Sequence, residues 1–188
     1  MPHPLQLSAA DTAVLVIDVQ EKLMVKIPSA DALVRNIAFL IDGARLLSVP
    51  VQATEQYPKG LGPTVPELAK RLPDRPDKKA FSCCAAEAVV ENFRRQARPK
   101  VLLCGIEAHV CVQQTALDLL ALDFRVFIAA DAVASRYDVD KKYALRRLEQ
   151  AGCVLTTAEA AVFEWTGGSD HPKFKEMSKL VQQRMEPA

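Results

Sequence analysis

Three side chains in this sequence could act together as a nucleophile, a base and a cation. Cys111 lies between an apolar run and a helical pattern, Asp18 lies at the end of an apolar run, and Lys78 ends a long loop. A thiol with a pKa of about 8.5 is mostly protonated at neutral pH, so it needs a base or a cation to become a nucleophile. Asp18 could take the thiol proton and later protonate a leaving amine, while Lys78 could hold both anions together and lower the thiol pKa.

Each of these residues also has an ordinary structural interpretation. A free cysteine is most often a small buried hydrophobe, and an aspartate at a strand end commonly caps a helix or a loop. Lys78 stands beside Lys79 in a proline-rich segment, where lysines are usually solvated. His109 could touch a substrate or could be a polar neighbour of a helix start. Residue types alone therefore leave the site open.

The elements that would position these residues alternate between strand and helix patterns. Strands are predicted at residues 13–19, 50–54, 79–82, 101–104, 124–130 and 153–156. Asp31, Ser82 and Asp140 are predicted to cap helices, and Gly152 to end one. This alternation predicts an α/β fold with a parallel sheet between helices, where ligands bind beyond the carboxyl ends of the strands. The three candidate residues follow or flank such strand ends.

Composition limits the classes of function. The 188 residues carry a net charge of +1 and are 49% apolar, which predicts one globular domain over 1–188 and gives no sign of a nucleic-acid or membrane partner. A small molecule is the expected ligand. The first residues lack a secretory pattern, and five cysteines, an odd number, do not form a disulfide framework, so reduced thiols and a cytoplasmic location are expected.

Three motifs together resemble the isochorismatase-like cysteine hydrolase family: D-x-Q at Asp18, K-x-x-F-S at Lys78 and GIEAHVCV over residues 105–112. Three further segments resemble its isochorismatase domain-containing subgroup: TEQYPKGLG over residues 54–62, DAVASR over 131–136 and HPKFKE over 171–176. The resemblance implies a three-layer α/β/α sandwich around a six-stranded parallel sheet of Rossmann-like order. It also implies a catalytic triad of Asp18, Lys78 and Cys111, and its motif register selects Lys78 over Lys79. A cis peptide bond between Ile106 and Glu107 is implied as well, with the N–H groups of Glu107 and Cys111 as an oxyanion hole.

The departures from related activities define the expected reaction. Nicotinamidases of this family have an Asp and two His metal site after the second strand, where this chain reads TEQYPKGLG, so no metal and no cofactor are expected. True isochorismatases generally lack the nucleophilic cysteine. We therefore expect a metal-free cysteine hydrolase that cleaves a small amide, imide or carbamoyl C–N bond through a thioester. Two alternatives stay open: vinyl-ether hydrolysis with Asp18 as the acid and Cys111 as a bystander, and a catalytically silent scaffold or regulatory protein.

Further expectations concern the surroundings of the site. The residues that flank the motifs are expected to form pocket walls: Leu23, Tyr57, Phe81 and His109. Ordinary core packing is the alternative for each. The resemblance implies a homo-oligomer such as a dimer or tetramer, and the amphipathic C-terminal helix predicted at residues 172–184 would pack on the domain or on a partner subunit.

Overall fold

A computed structural model describes residues 3–185 of the chain. Six parallel strands form one sheet in the order β3-β2-β1-β4-β5-β6. Their bounds are β1 Thr12–Ile17, β2 Val51–Gln56, β3 Asp77–Lys78, β4 Lys100–Ile106, β5 Arg125–Ala134 and β6 Val154–Thr156. The order reverses between β1 and β4, so their carboxyl ends border the crevice where open α/β sheets bind ligands.

Helices cover both faces of this sheet. Within the described residues they are α1 Glu21–Met24, α2 Ala30–Leu46, α3 Pro58–Leu61, α4 Pro66–Ala69, α5 Glu87–Arg95, α6 Gln113–Ala121, α7 Asp138–Gln150, α8 Ala158–Thr166 and α9 Phe174–Met185. A 3₁₀ turn, Cys83–Ala85, precedes α5, and a π-helical turn, Ala108–Val112, precedes α6. The three-layer α/β sandwich and the Rossmann-like strand order are therefore confirmed.

Two apolar cores result from the alternation of side chains along the strands. In β1, Val14 and Val16 pack with α2 and α8, whereas Leu15 and Ile17 pack with α5 and α6 on the other face. Successive side chains of a strand point to opposite faces, so a strand covered on both sides must be apolar throughout. All six residues of β1 are buried, as the unbroken apolar run predicts.

Several predicted boundaries were wrong. The third strand was predicted at residues 79–82, but the backbone pairs with β2 at Asp77 and Lys78. Ser82 does not cap α5; its hydroxyl accepts a hydrogen bond from the N–H of Cys84 and so caps the 3₁₀ turn, because the chain makes that turn before the helix begins. Asp31 and Asp140 lie inside the first turns of α2 and α7 and are not their caps.

Gly152 and the C-terminal helix agree with prediction. Gly152 follows the end of α7 with a φ of +105°, a conformation that favours glycine. The last helix, α9, packs on this chain against α2, with Met177 fully buried in the core. Arg184 of α9 also makes an ion pair of 2.8 Å with Asp131. Of the two packing alternatives for this helix, the structure therefore shows packing on the same chain.

Candidate active site

Asp18 sits at the point where β1 turns away from the sheet. Its backbone has a φ of +52°, a left-handed conformation that aspartate tolerates better than most residues. Its N–H donates to the carbonyl of Thr54 at 3.2 Å, and its carbonyl accepts from the N–H of Gln20 at 2.8 Å. These contacts hold a fully buried carboxylate at the carboxyl end of β1.

Lys78 forms an ion pair with this carboxylate. Its Nζ lies 2.7 Å from Asp18 Oδ2, and both side chains are almost completely buried. The ammonium also donates to Gln56 Oε1 at 2.8 Å, to the Phe81 carbonyl at 2.9 Å and to the Ala80 carbonyl at 3.3 Å. An ammonium has three protons, so these four acceptors leave none free for another partner. Lys78 therefore acts as a fixed positive charge, whereas the neighbouring Lys79 is exposed.

Gln56 and Gln20 connect Lys78 to the surrounding strands and loop through hydrogen bonds. Gln56 at the end of β2 accepts from Lys78 through Oε1 and donates from Nε2 to the Lys79 carbonyl at 2.7 Å. Gln20 accepts from the Gln56 N–H at 2.7 Å and donates to the Gly62 carbonyl at 2.7 Å. The glutamine of the D-x-Q motif thus ties the end of β1 to β2 and to the following loop.

Close contact between β1 and β4 brings the Cys111 segment to Asp18. Gly105 of β4 is in register with Ile17, the residue before Asp18, and has a φ of +113°. A Cβ on Gly105 would collide with the backbone of Ile17, so only glycine lets the two strands approach this closely. Two residues later the chain leaves the sheet and enters the π-helical turn that carries Cys111.

Cys111 is a buried thiol beside the ion pair. Burial raises the pKa of Cys111 above its ordinary value, the Asp18 carboxylate raises it further, and the Lys78 ammonium only partly opposes these effects. Lys78 lowers the thiol pKa as predicted, but the loss of hydration and the nearby carboxylate outweigh the cation, so the net shift is upward. The resting group is therefore a neutral thiol beside the Asp18–Lys78 ion pair.

Glu107 links the candidate oxyanion segment to the end of β5. The Ile106–Glu107 peptide bond is cis. The Glu107 side chain is mostly buried, and its Oε1 accepts from the N–H of Arg136 at 3.1 Å and from the Arg136 Nε at 3.0 Å. The Glu107 carbonyl accepts from the N–H groups of Val110 and Val112, which fixes the start of the π-helical turn.

The residues predicted as pocket walls have different surroundings. Phe81 and Tyr57 are half exposed, and Phe81 also presents its carbonyl to Lys78. His109 Nδ1 lies 2.9 Å from Ser135 Oγ, so its ring is held against the end of β5. Leu23 of α1 packs against the core on the α2 face. That these four residues line one pocket stays a prediction.

Sequence reasoning missed Thr54 and Cys83, which surround Asp18. Thr54 Oγ1 donates to Asp18 Oδ1 at 2.8 Å and lies 3.3 Å from Cys83 Sγ. Thr54 could have been found, because it ends the second predicted strand, residues 50–54, and strand ends of a parallel sheet converge at one edge. Cys83 directly follows the K-x-x-F-S motif, but adjacency in sequence gives no indication that its thiol faces the first strand.

Known proteins match this chain over most of its length. A family model described as the isochorismatase domain matches residues 12–160. The chain belongs to the isochorismatase family. Isochorismatase domain-containing protein 2 of Danio rerio is 42% identical over 178 residues, which are 94% of this chain and 89% of the relative. The resemblance inferred from the motifs is therefore confirmed.

Solved structures of isochorismatase-like proteins share the fold. One described as the MAR1 ribonuclease of Caenorhabditis elegans is 44% identical, with a TM-score of 0.86, and the match covers 94% of this chain and 92% of that chain. The YcaC gene product of Escherichia coli, described as an octameric hydrolase of unknown specificity, is 25% identical with a TM-score of 0.89 over 98% and 93% of the two chains. Family and structural likeness support a general hydrolase function, and one such relative is an oligomer.

Residues 3–185 contain neither a cluster suited to a metal ion nor a helix suited to a membrane. Among the residues that the structure describes, no group of three or more His, Cys, Asp and Glu side chains is arranged to hold a metal ion. Within residues 3–185, no helix combines the length and apolar character needed to cross a bilayer. The cytoplasmic location stays a prediction.

Proposed function

We propose that this isochorismatase-family protein is a cysteine hydrolase that cleaves a small amide, imide or carbamoyl C–N bond. The observation that carries the proposal is the buried Asp18–Lys78 ion pair, 2.7 Å long, with the Cys111 thiol beside it. A buried carboxylate next to a neutral thiol is the arrangement that a general base and its nucleophile require. In this proposal residues 1–188 form a single hydrolase domain.

The first half of the proposed reaction makes a thioester. Asp18 takes the proton of Cys111, and the thiolate sulfur forms a bond to the substrate carbonyl carbon. The oxygen of the tetrahedral adduct accepts hydrogen bonds from the N–H groups of Glu107 and Cys111. The C–N bond then breaks, and the nitrogen leaves with the proton that Asp18 had taken.

The second half restores the protein. Asp18, ionised again, takes a proton from a water molecule, whose oxygen attacks the thioester carbonyl. The C–S bond breaks, the carboxylic acid product leaves, and the proton on Asp18 returns to the Cys111 sulfur. Lys78 keeps its charge throughout, because its protons are committed to Asp18, Gln56 and the carbonyls of the following turn.

A panel of small amides, imides and ureides tests this function through ammonia release. Cys111→Ser should abolish turnover, while Cys153→Ser, which changes another buried thiol in the core, should not. Intact mass spectrometry of acid-quenched reactions should show an acyl adduct on Cys111. Full turnover by Cys111→Ser, or no adduct with a substrate that is turned over, would contradict the thioester mechanism. Inactivity across the panel would favour a scaffold or regulatory role.

The family relationship favours vinyl-ether hydrolysis as a second candidate. In that reaction Asp18 would protonate the substrate and Cys111 would take no covalent part. Hydrolysis of isochorismate that persists after complete alkylation of Cys111 would support this candidate and exclude a thioester for that substrate.

The panel should also test RNA cleavage, because a relative 44% identical to this chain is described as a ribonuclease. Phosphodiester cleavage usually requires cations that reach the phosphate. Lys78 is buried and saturated with acceptors, and the chain has a net charge of only +1. We therefore propose the C–N bond first, and RNA cleavage that is lost in Cys111→Ser would reverse that order.

A further inference from the structure

We propose that Thr54 and Cys83 form a positioning pair that orients the Asp18 carboxylate and stabilises its ionised form. The inference rests on the proposed function, in which Asp18 is the base for Cys111. Neither residue contacts the reacting atoms in this scheme; both act through Asp18.

The geometry begins with the two oxygens of the Asp18 carboxylate. Oδ2 accepts from Lys78 Nζ at 2.7 Å, and Oδ1 accepts from Thr54 Oγ1 at 2.8 Å. Asp18 and Thr54 are 0% and 1% exposed, so water does not compete for these bonds. Two donors on opposite oxygens prevent the carboxylate from rotating, and each favours the charged form over the protonated form.

The direction of the hydrogen bonds identifies Cys83 as a donor. The Thr54 hydroxyl has a single proton, and an ionised Asp18 has none, so that proton lies between Thr54 and Asp18. In the 3.3 Å contact between Thr54 Oγ1 and Cys83 Sγ, the thiol is therefore the donor and the hydroxyl oxygen is the acceptor. The resulting chain runs from the Cys83 S–H to the Thr54 hydroxyl and on to Asp18.

The surroundings of Cys83 keep this donor protonated and in place. Burial raises the pKa of Cys83 to about 12, with the Asp18 carboxylate adding to the increase. The Cys83 N–H donates to Thr115 Oγ1 at 2.9 Å, which anchors the 3₁₀ turn on α6. Because Cys83 is 0% exposed, it is a poor candidate for a nucleophile. A hydroxyl that accepts one bond becomes a better donor in the next, so the thiol strengthens the bond to Asp18.

The titratable groups that face Asp18 come from three elements. Lys78 lies on β3, Cys111 on the π-helical turn and Cys83 on the 3₁₀ turn. Thr54 on β2 is not titratable and donates to the same carboxylate. A variant of Thr54 therefore changes the hydrogen bonding of Asp18 without adding or removing a charge.

The experiment measures the rate of Cys111 alkylation by iodoacetamide from pH 2.5 to 9, with peptide mapping to assign the modified thiol. Thr54→Val keeps the side-chain shape but removes the donor to Asp18 Oδ1. The acid limb of the Cys111 rate profile should move up by about one pH unit, as expected for one lost hydrogen bond to a charged group. Thr54→Ser restores a hydroxyl and should keep the parent profile.

A second pair of variants tests Cys83 and covers the case in which Thr54→Val does not fold. Cys83→Ala should move the acid limb in the same direction by a smaller amount, and Cys83→Ser should not. Cys104→Ala is the matched control, because Cys104 is also 0% exposed but lies in the core on the other face of the sheet. It should leave the profile unchanged.

The outcomes separate this inference from the proposed function. If Asp18→Asn leaves the acid limb in place, Asp18 is not the base and the proposed mechanism fails. If Asp18→Asn removes the limb but Thr54→Val matches the parent, only the positioning pair is wrong. An equal shift in Thr54→Ser and Thr54→Val, or in Cys104→Ala and Cys83→Ala, would also overturn the inference.

Discussion

Replacement of Gly105 by alanine should destabilise the protein more than the same replacement of Gly152. Both glycines have a φ that L side chains rarely adopt, +113° at Gly105 and +105° at Gly152. They differ in their surroundings. A Cβ at Gly105 would meet the Ile17 carbonyl and lie 2.6 Å from the Ile17 nitrogen, whereas a Cβ at Gly152 would have nothing within 4 Å. The comparison therefore separates backbone strain from steric collision.

The expected magnitudes follow from these two contributions. A strained φ costs about 1–3 kcal/mol, and this should be the whole effect of Gly152→Ala. The collision at Gly105 adds a cost of about 1–3 kcal/mol or more, because the colliding atoms are backbone and β1 itself must move. The free energy of unfolding should therefore fall by about 2–6 kcal/mol in Gly105→Ala.

Urea unfolding followed by circular dichroism measures both variants. With a denaturant dependence of about 2 kcal/mol per molar urea, the midpoint of Gly105→Ala should lie about 0.5–1.5 M below that of Gly152→Ala. Cys111 alkylation should also slow in Gly105→Ala alone, because Asp18 follows Ile17 and would shift with β1. Equal midpoints, with unchanged denaturant dependence, would refute the view that close contact between β1 and β4 needs a glycine.

Three further predictions concern charge and pH. Lys78→Met removes the cation from a buried carboxylate and should lower the free energy of unfolding by about 3–5 kcal/mol, whereas Lys79→Met at an exposed site should change it by less than about 0.5 kcal/mol; equal losses would contradict the choice of Lys78. Burial raises the pKa of Cys83 from 9.0 to about 12 and that of Cys153 from 9.0 to about 11. Above pH 9 these thiols ionise more readily in the unfolded chain, so unfolding in urea with reductant should become easier as pH rises. A stability that stays constant up to pH 11 would contradict this. Burial alone would raise the pKa of Glu55, but hydrogen bonds from Thr64 and the nearby Arg75 hold it below 4.5. Glu55→Gln should therefore destabilise the protein at pH 7 by more than at pH 3, because the advantage of the ionised group shrinks as pH falls below 4.5, and an equal loss at both pH values would count against that linkage.

The sequence predicted the sheet well because its strands are buried on both faces. An unbroken apolar run such as β1 leaves few alternatives, and the helices between the runs require parallel strands. The two-residue strand at Lys78 could not be located in this way. Two residues are too few to show an alternation, so Lys78 was selected by the motif register alone, and its inward position follows from pairing with β2.

The site was only partly predictable, for a related reason. Asp18 and Cys111 could be found because strand ends converge at one edge of a parallel sheet. The direction of the pKa shift at Cys111 could not, since it depends on how much water the fold excludes from the thiol. Cys83 was missed because its role depends on one side-chain contact made across 29 residues.

In the proposed mechanism, the raised pKa of Cys111 gives Lys78 a specific part. In the resting state the buried site holds one carboxylate, one ammonium and a neutral thiol. Transfer of the thiol proton to Asp18 moves the negative charge to sulfur, but the site still holds one anion and one cation. A thiolate without Lys78 would be an unpaired buried charge, which is far more costly than a paired one. In the proposed reaction, the fixed ammonium would therefore allow the thiol to ionise only when its proton passes to Asp18. Nucleophilic attack would then be restricted to the moment when a base is ready to return that proton to the leaving group.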